Sequence, residues 1–201
     1  MAPPKSGAGG VTPDETTDPP FDTSDLRKNL AKFLDRTFFE DKSSDDVYRI
    51  GDFKWGVYAF FDYDGEPIYI GQTNEKLRVR IRRHLTNQRT DAVAMSVLDP
   101  FEVYKIKAWP LPELQDVEGG NVEAKRKLDA LERLIYDQAL AGSKFGAVLN
   151  EKDPPAATIE IQEPQSMEGV IVSDTVYQVR KHPDVRIARR ALTISRLSQV
   201  I

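Results

Sequence analysis

Two tyrosines, a run of arginines and one helical glutamate are the residues of this chain whose types and spacing could support chemistry. Tyr58 and Tyr69 lie in two short apolar runs, residues 55–61 and 67–71, on either side of an Asp-Gly turn segment. An Asp-Gly pair between β-prone runs predicts a β-hairpin. On paired strands the two tyrosines could serve either cross-strand aromatic packing or a reaction.

A basic helix is predicted directly after the hairpin, from about residue 76 to residue 87. Its apolar stripe consists of Leu77, Ile81 and Leu85. Arg80 and His84 are four residues apart and therefore share a face, at one border of that stripe. No acidic residue occurs between positions 76 and 90. The helix presents either a solvated basic face or an anion site, because the planar guanidinium group of arginine suits phosphate.

A longer helix is predicted from a cap at Asn121 to about residue 141. Its apolar stripe contains Ala124, Leu128, Leu131, Ile135 and Ala139. Glu132 falls within the same arc, and a carboxylate on a packing face is costly unless a cation or several donors face it. We therefore expect Glu132 either to pair with an arginine or to bind a divalent cation, with oxygen ligands favouring Mg²⁺ or Mn²⁺.

Composition excludes several classes of site. The 201 residues contain no cysteine and only two histidines, which excludes disulfides and thiol catalysis and argues against a multi-histidine metal site. The absence of cysteine fits a cytoplasmic location. A net charge of −4 argues against a uniformly basic nucleic-acid binder. No apolar run has the length of a membrane span and no signal peptide opens the chain, so we expect no membrane partner.

The expected fold class is α+β, a small three-stranded antiparallel sheet flanked by helices, with an N-terminal helix and a C-terminal extension. We divide the chain into a disordered tail (1–22), an N-terminal helix and link (23–52), a core domain (53–153) and an extension with a basic segment (154–201). Smaller elements are predicted as strands near 47–50, over 101–109 and within 169–179, and as a short helix over 90–98. The face of the N-terminal helix is predicted to carry Leu26, Leu30, Phe33, Leu34 and Phe38.

The chain resembles the GIY-YIG nuclease family in five ordered elements. They are Gly56-Val57-Tyr58, Tyr69-Ile70-Gly71, Arg80 with His84, Glu132, and Asn150. The resemblance covers about residues 55–151, half of the chain. Val57 replaces the isoleucine of the first motif, and Gln72 stands where some members have lysine. The spacing from Glu132 to Asn150 is longer than in compact members.

This resemblance implies hydrolysis of a phosphodiester bond by a single-metal mechanism. Tyr58 would be the general base, or the group that orients the attacking water. The ordinary pKa of a tyrosine is about 10, so a base at this position needs cationic neighbours. Arg80 would supply that charge and stabilise the charge that develops on the phosphate.

The resemblance gives the remaining site residues roles around the same phosphate. Tyr69 would hydrogen-bond the nucleophile or the phosphate, and His84 would relay a proton or bind the phosphate. Glu132 would hold Mg²⁺ or Mn²⁺. Asn150 would position the Glu132 loop or a phosphate, and Gly71 would let the backbone approach the substrate.

DNA is the partner that the resemblance implies. The predicted DNA-binding residues are Gly71, Gln72, Arg78, Arg82, Arg83, Arg186, Arg189 and Arg190. The last three belong to a helix predicted to begin near Pro183, with Val185, Ala188 and Leu192 turned inward and the arginines turned outward to DNA phosphates. The competing interpretation of this segment is a structural or dimer-forming element.

Two classes of function remain open on the sequence. The first is a metal-dependent DNA endonuclease, in restriction or phage defence, with a possible homodimer because one active site cuts one strand at a time. The second is a catalytically weak nucleic-acid-binding module, or a partner subunit of a DNA repair or defence complex.

Overall fold

A computed structural model of the chain describes residues 23–41, 46–86, 98–150 and 152–200. The predicted tail (1–22) lies outside these ranges, as does nearly all of the short helix predicted over 90–98. The helices are α1 (Thr23–Leu34), α2 (Leu77–Thr86), α3 (Val122–Gly142), α4 (Asp174–Lys181) and α5 (Pro183–Val200). The strands are β1 (Thr37–Asp41), β2 (Asp46–Arg49), β3 (Gly56–Phe61), β4 (Pro67–Thr73), β5 (Lys105–Pro110) and β6 (Met167–Val170).

The main sheet is antiparallel and has the strand order β4-β3-β5-β6. Strands β3 and β4 form the predicted hairpin, in a register that places Tyr58 opposite Gly71 and Phe60 opposite Tyr69. The α+β class is confirmed, but the prediction of three strands is wrong, because β6 pairs with β5 as a fourth. The strand predicted within 169–179 overlaps β6 at its start, but the local pattern does not show that it joins the main sheet. An ion pair between Lys105 and Glu168 at 3.0 Å links β6 to β5.

Two hydrophobic cores lie on opposite faces of the main sheet. One core contains α1 and α2, and the other contains α3. The predicted stripes of α2 and α3 are buried, apart from Ala139, which is half-buried. The Asn121 side chain accepts a hydrogen bond from the Ala124 backbone N–H at 2.9 Å, as expected of a helix cap. Within the described ranges, none of the helices combines the length and the apolar character that a membrane span requires.

Three smaller boundaries differ from the sequence predictions. Helix α1 ends at Leu34, and Phe38 is buried from strand β1, which pairs with the predicted strand β2. Strand β5 begins at Lys105, because Asp99 and Pro100 start a short 3₁₀ turn before it. The β-like run 169–179 is a strand only to Val170; Ser173 then caps helix α4.

Helix α5 begins at Pro183 as predicted, but it is rotated relative to the expectation. Arg189, predicted to face outward, is only 2% exposed and forms ion pairs with Asp62 at 2.9 Å and Asp64 at 2.8 Å. Ala188 and Leu192, predicted to face inward, are exposed. The acidic turn of the β3–β4 hairpin explains the rotation, since a buried carboxylate requires a cation.

We predict that Arg189→Met lowers the free energy of unfolding by about 3 kcal/mol, because it leaves the Asp62 carboxylate buried without its counter-charge. The matched control is Arg186→Met: Arg186 also pairs with Asp64, but its side chain is 52% exposed, so we expect a loss below about 1 kcal/mol. Urea denaturation measures both values. Equal losses would contradict the assignment of Arg189 as the buried anchor.

Candidate active site

The Tyr58 side chain crosses from β3 over the backbone of β4 at Gly71. A Cβ atom at position 71 would lie 2.6 Å from the Tyr58 hydroxyl oxygen and 2.8 Å from a ring carbon of Tyr69. Real Cβ atoms do not approach other atoms so closely, so any side chain here would displace the tyrosines. The glycine is therefore required by the closeness of the two tyrosines, and this closeness defines the centre of the candidate site.

Helix α2 brings His84 against both tyrosines. The His84 ring centroid lies 5.9 Å from that of Tyr58 and 5.1 Å from that of Tyr69, and His84 is 8% exposed. Phe60 also contacts both tyrosine rings. The rings thus do take part in cross-strand packing, and that packing fixes the positions of their hydroxyl groups.

Burial controls the protonation of Tyr58. Its side chain is 0% exposed, and this burial, together with the neighbouring Tyr69, raises the pKa of Tyr58 well above its ordinary value, while Arg80 opposes the rise. The Tyr58 hydroxyl forms no well-aligned hydrogen bond with any of the described residues. Tyr58 therefore stays protonated near neutral pH, which favours a role in orienting a water molecule over a role as the base.

Glu132 approaches the same region from helix α3. Its side chain is 9% exposed, and burial raises the pKa of Glu132 to about 7, with Asp129 adding to the rise and Lys125, Gln72 and Arg80 opposing it. Within the described ranges Glu132 forms no ion pair, so the salt bridge considered as its alternative role is not present. A carboxylate that is half-protonated near pH 7, forms no ion pair and lies beside a guanidinium group is a candidate for ligand or metal binding.

The Gln72 side chain lies between Glu132 and Asp129, rather than on the helix α2 side of the sheet with the tyrosines. Its amide nitrogen donates to the Asp129 carboxylate at 2.8 Å, and Asp129 also pairs with Lys125 at 2.6 Å. In the described structure the Gln72 amide oxygen is buried without a hydrogen-bond partner. Sequence reasoning missed Asp129; the signal for it was its position one turn before Glu132 on the same helix.

The oxygen atoms of Glu132 and Gln72 fit a divalent cation whose other ligands are mostly water molecules. Glu132 offers a carboxylate, and the buried amide oxygen of Gln72 is a second oxygen of the kind that Mg²⁺ or Mn²⁺ prefers. In the parts of the chain that the structure describes, no three acidic or histidine side chains converge as a metal cage. Any cation held here would complete its coordination with water and substrate oxygens.

Asn150 holds the backbone of strand β4 at Ile70, between Tyr69 and Gly71. Its amide oxygen accepts from the Ile70 N–H at 3.0 Å, and its amide nitrogen donates to the Ile70 carbonyl at 2.7 Å. The Leu149 N–H adds a bond to the Ile68 carbonyl at 2.7 Å. Because β4 is the edge strand, these bonds fix a backbone that would otherwise be unpaired on one side.

The arginines predicted to bind DNA are placed in different environments. Arg78 pairs with Asp35 at 2.8 Å and with Asp52, and Arg83 pairs with Glu75 at 2.8 Å. Arg82 is exposed. Three predicted residues surround Asp64 at the hairpin turn: Arg186, Arg189 and Arg190.

The structure thus brings six of the named residues together at the site and places the C-terminal arginines elsewhere. The six are Tyr58, Tyr69, Arg80, His84, Gln72 and Glu132.

Comparison with known proteins finds one similarity, in the region that contains the hairpin and helix α2. Residues 54–120 match the family model of the GIY-YIG catalytic domain. This region, about a third of the chain, is therefore similar to the catalytic domain of the GIY-YIG nucleases. Neither the curated proteins nor the solved structures provide a match. The matched region contains both tyrosines, Arg80 and His84, whereas Glu132 and Asn150 lie beyond it.

We predict that Glu132→Gln stabilises the protein at alkaline pH. The folded-state pKa of Glu132 is raised from its ordinary value of 4.5 to about 7. The stability that protonated Glu132 contributes is therefore fully present below pH 4.5 and is lost as the pH rises through 7. One pKa unit corresponds to about 1.4 kcal/mol, so the variant should gain up to about 3 kcal/mol over the parent at about pH 8 relative to about pH 5.

Urea denaturation in EDTA at the two pH values measures this gain. Glu123→Gln, which removes an exposed carboxylate from the same helix, is the control and should show no such difference. A pH-independent effect of Glu132→Gln would contradict the raised pKa of Glu132.

Proposed function

We propose that this protein is a metal-dependent DNA endonuclease that hydrolyses phosphodiester bonds. The observation that carries the proposal is the convergence of a buried Tyr58 hydroxyl over Gly71, the Arg80 guanidinium group beside it, and the Glu132 carboxylate. Phosphodiester hydrolysis requires a positioned water, a cation at the developing charge and neutralisation of the leaving oxygen. These three groups match those requirements.

Glu132, with the Gln72 amide oxygen nearby, is the group that would hold Mg²⁺ or Mn²⁺. A divalent cation bound there supplies neutralisation of charge on the leaving oxygen. Arg80 binds a phosphate oxygen, because its charge is fixed and its planar donors match phosphate geometry. The ion pairs of Asp129 with Lys125 and its hydrogen bond with Gln72 hold the amide beside Glu132.

The tyrosines and His84 act on the nucleophile. Tyr58, which is protonated, orients the attacking water with its hydroxyl group, and Tyr69, which is half-buried, contacts the phosphate or the water from the solvent side. His84 lies against both rings and receives or passes on the proton that the water loses. Asn150 positions Tyr69 by holding both backbone polar groups of the next residue, Ile70.

We further propose a role in restriction or phage defence, in the cytoplasm. The support for this role is a short nuclease-like domain with its own helical additions, and a chain without cysteine. One observation supports the second class, a catalytically weak DNA-binding module: Tyr58 is fully buried, and its pKa is raised rather than lowered.

Incubation of the purified protein with supercoiled plasmid and Mg²⁺ separates the two classes. We expect nicking or linearisation, and we expect both Glu132→Gln and Tyr58→Phe to reduce the initial rate by at least about 100-fold, which is typical of the loss of a metal ligand or of a proton-transfer group. The matched control is Tyr104→Phe, because Tyr104 packs against Tyr63 and Tyr177 and not against the site tyrosines.

Full cleavage by both site variants would refute the assigned site. Absence of cleavage by the parent protein, with DNA binding retained, would establish the weak-binding class instead.

A further inference from the structure

Helices α1 and α2 lie side by side and antiparallel over one face of the main sheet. The start of α1 is next to the end of α2, because the Arg27 guanidinium group donates to the Thr86 carbonyl at 3.3 Å. The end of α1 is next to the start of α2, because Arg78 donates to the Leu34 carbonyl at 3.2 Å. Both helices bury their apolar stripes in the same core, so their opposite sides form one outward surface.

This outward surface carries cations from both helices. At 100° per residue, Lys28 and Lys32 lie on the side of α1 away from the buried Leu26 and Leu30. On α2, one arginine lies outside the buried stripe, and a lysine immediately precedes the first turn. We call this region the α1–α2 surface. Its exposed cations are Lys28, Lys32, Lys76 and Arg82.

The acidic groups near the α1–α2 surface are engaged by other cations. The ion pairs of this region are those of Arg78 with Asp35 and Asp52 and of Arg83 with Glu75. Asp25, in the first turn of α1, is the remaining exposed acid of the two helices. Within the described ranges, the four cations of the surface form no ion pair. The chain as a whole has a net charge of −4, so this surface is a local basic exception.

Helix α5, the other basic segment, offers no comparable surface. Each of its four arginines is paired with acidic groups of the hairpin turn or of the segment before β5. The pairs are Arg186, Arg189 and Arg190 with Asp64, Arg189 with Asp62, and Arg196 with Asp99 and Glu102. Binding to a phosphate gains free energy by releasing mobile counterions. An arginine that is already paired with a carboxylate has few to release.

We propose that the α1–α2 surface binds the two phosphate backbones that border one groove of a DNA duplex, an inference that rests on the proposed nuclease function. Packed helices lie about 8–10 Å apart between their axes, and the grooves of B-DNA are about 6 and about 12 Å wide. The cations of α1 and those of α2 therefore form two rows whose spacing falls within the range of the grooves. A single strand fills only one row, so the surface favours double-stranded DNA.

Helix α2 joins this surface to the candidate active site. Its residues Arg80 and His84 lie on the β4 side, against the tyrosines, whereas Arg78 lies on the α1 side, where it contacts Leu34. A strand held along α2 therefore passes Arg80, the proposed phosphate ligand. Helix α1 lies outside the matched residues 54–120, so its row of cations is an addition of this chain to the nuclease-like domain.

Fluorescence anisotropy with a labelled DNA duplex, in EDTA so that no metal is present, tests this surface. We expect the double variant Lys28→Gln/Lys32→Gln to raise the Kd for the duplex at least about tenfold at about 0.1 M NaCl, because two phosphate contacts are lost. The slope of log Kd against log salt concentration should fall by about 2 for the same reason. The Kd for a single strand of the same sequence should rise by less than about threefold, because the α2 row is intact.

The matched control is Arg126→Gln/Lys127→Gln, which removes two charges from helix α3 on the opposite face of the sheet. Its Kd for the duplex should change by less than about twofold. Thermal unfolding verifies that all variants fold. The variant Arg186→Gln/Arg190→Gln tests helix α5 in the same assay, and a larger loss of affinity there than in the α1 variant would overturn the proposal. An equal loss for duplex and single strand would exclude the two-row arrangement.

The result is separable from that of the proposed function. A parent protein that nicks plasmid, while its α1 variant binds the duplex as tightly as the parent does, would overturn the surface alone. Loss of duplex affinity in the α1 variant of a protein that does not nick plasmid would support the surface and contradict the nuclease function. A parent protein that neither binds the duplex nor nicks plasmid would overturn both.

Discussion

The Tyr58 side chain lies across the neighbouring strand, and it can do so only because the residue opposite in register is Gly71, where a Cβ would lie 2.6 Å from the tyrosine hydroxyl. The rest of the site follows from this approach. The edge strand β4 must hold Gly71 in place, and Asn150 bonds its backbone on the free side. Helix α2 places His84 on the tyrosine rings. Helix α3, on the other face of the sheet, places Glu132 beside Gln72.

The same hairpin is fixed at its other end by charge. Asp62 accepts hydrogen bonds from the Asp64 and Glu66 backbone N–H groups with one carboxylate oxygen and binds Arg189 with the other. A buried pair of this kind holds the turn in one geometry, at the cost of desolvating both charges. Because the turn joins the two strands that carry Tyr58 and Tyr69, the C-terminal helix contributes to the order of the site from a distance.

The local sequence pattern was sufficient to predict the helices and strands that form the site. The Asp-Gly turn predicted the hairpin, the apolar stripes predicted α2 and α3, and Asn121 predicted the start of α3. The spacing of the tyrosines, Arg80 and His84 led to the nuclease family. What failed depended on long-range contacts: β6 exists because β5 offers a free edge, and α5 is rotated because Asp62, 127 residues before Arg189, requires a cation. Neither the pairing of β6 with β5 nor that of Arg189 with Asp62 can be inferred from the periodicity of the sequence. The bridge from Gln72 to Asp129 likewise depends on how α3 lies against β4.

We propose that Glu132 holds a cation and that Arg80 holds the scissile phosphate close to the Tyr58 hydroxyl. The most direct measurement is a crystal structure of the Tyr58→Phe variant with duplex DNA and Mn²⁺, with Mn²⁺ located by its anomalous scattering. We predict one Mn²⁺ bound to a Glu132 carboxylate oxygen and to a phosphate oxygen, with the Arg80 guanidinium group on the same phosphate. A cation and phosphate bound away from Glu132 and Arg80 would contradict the account.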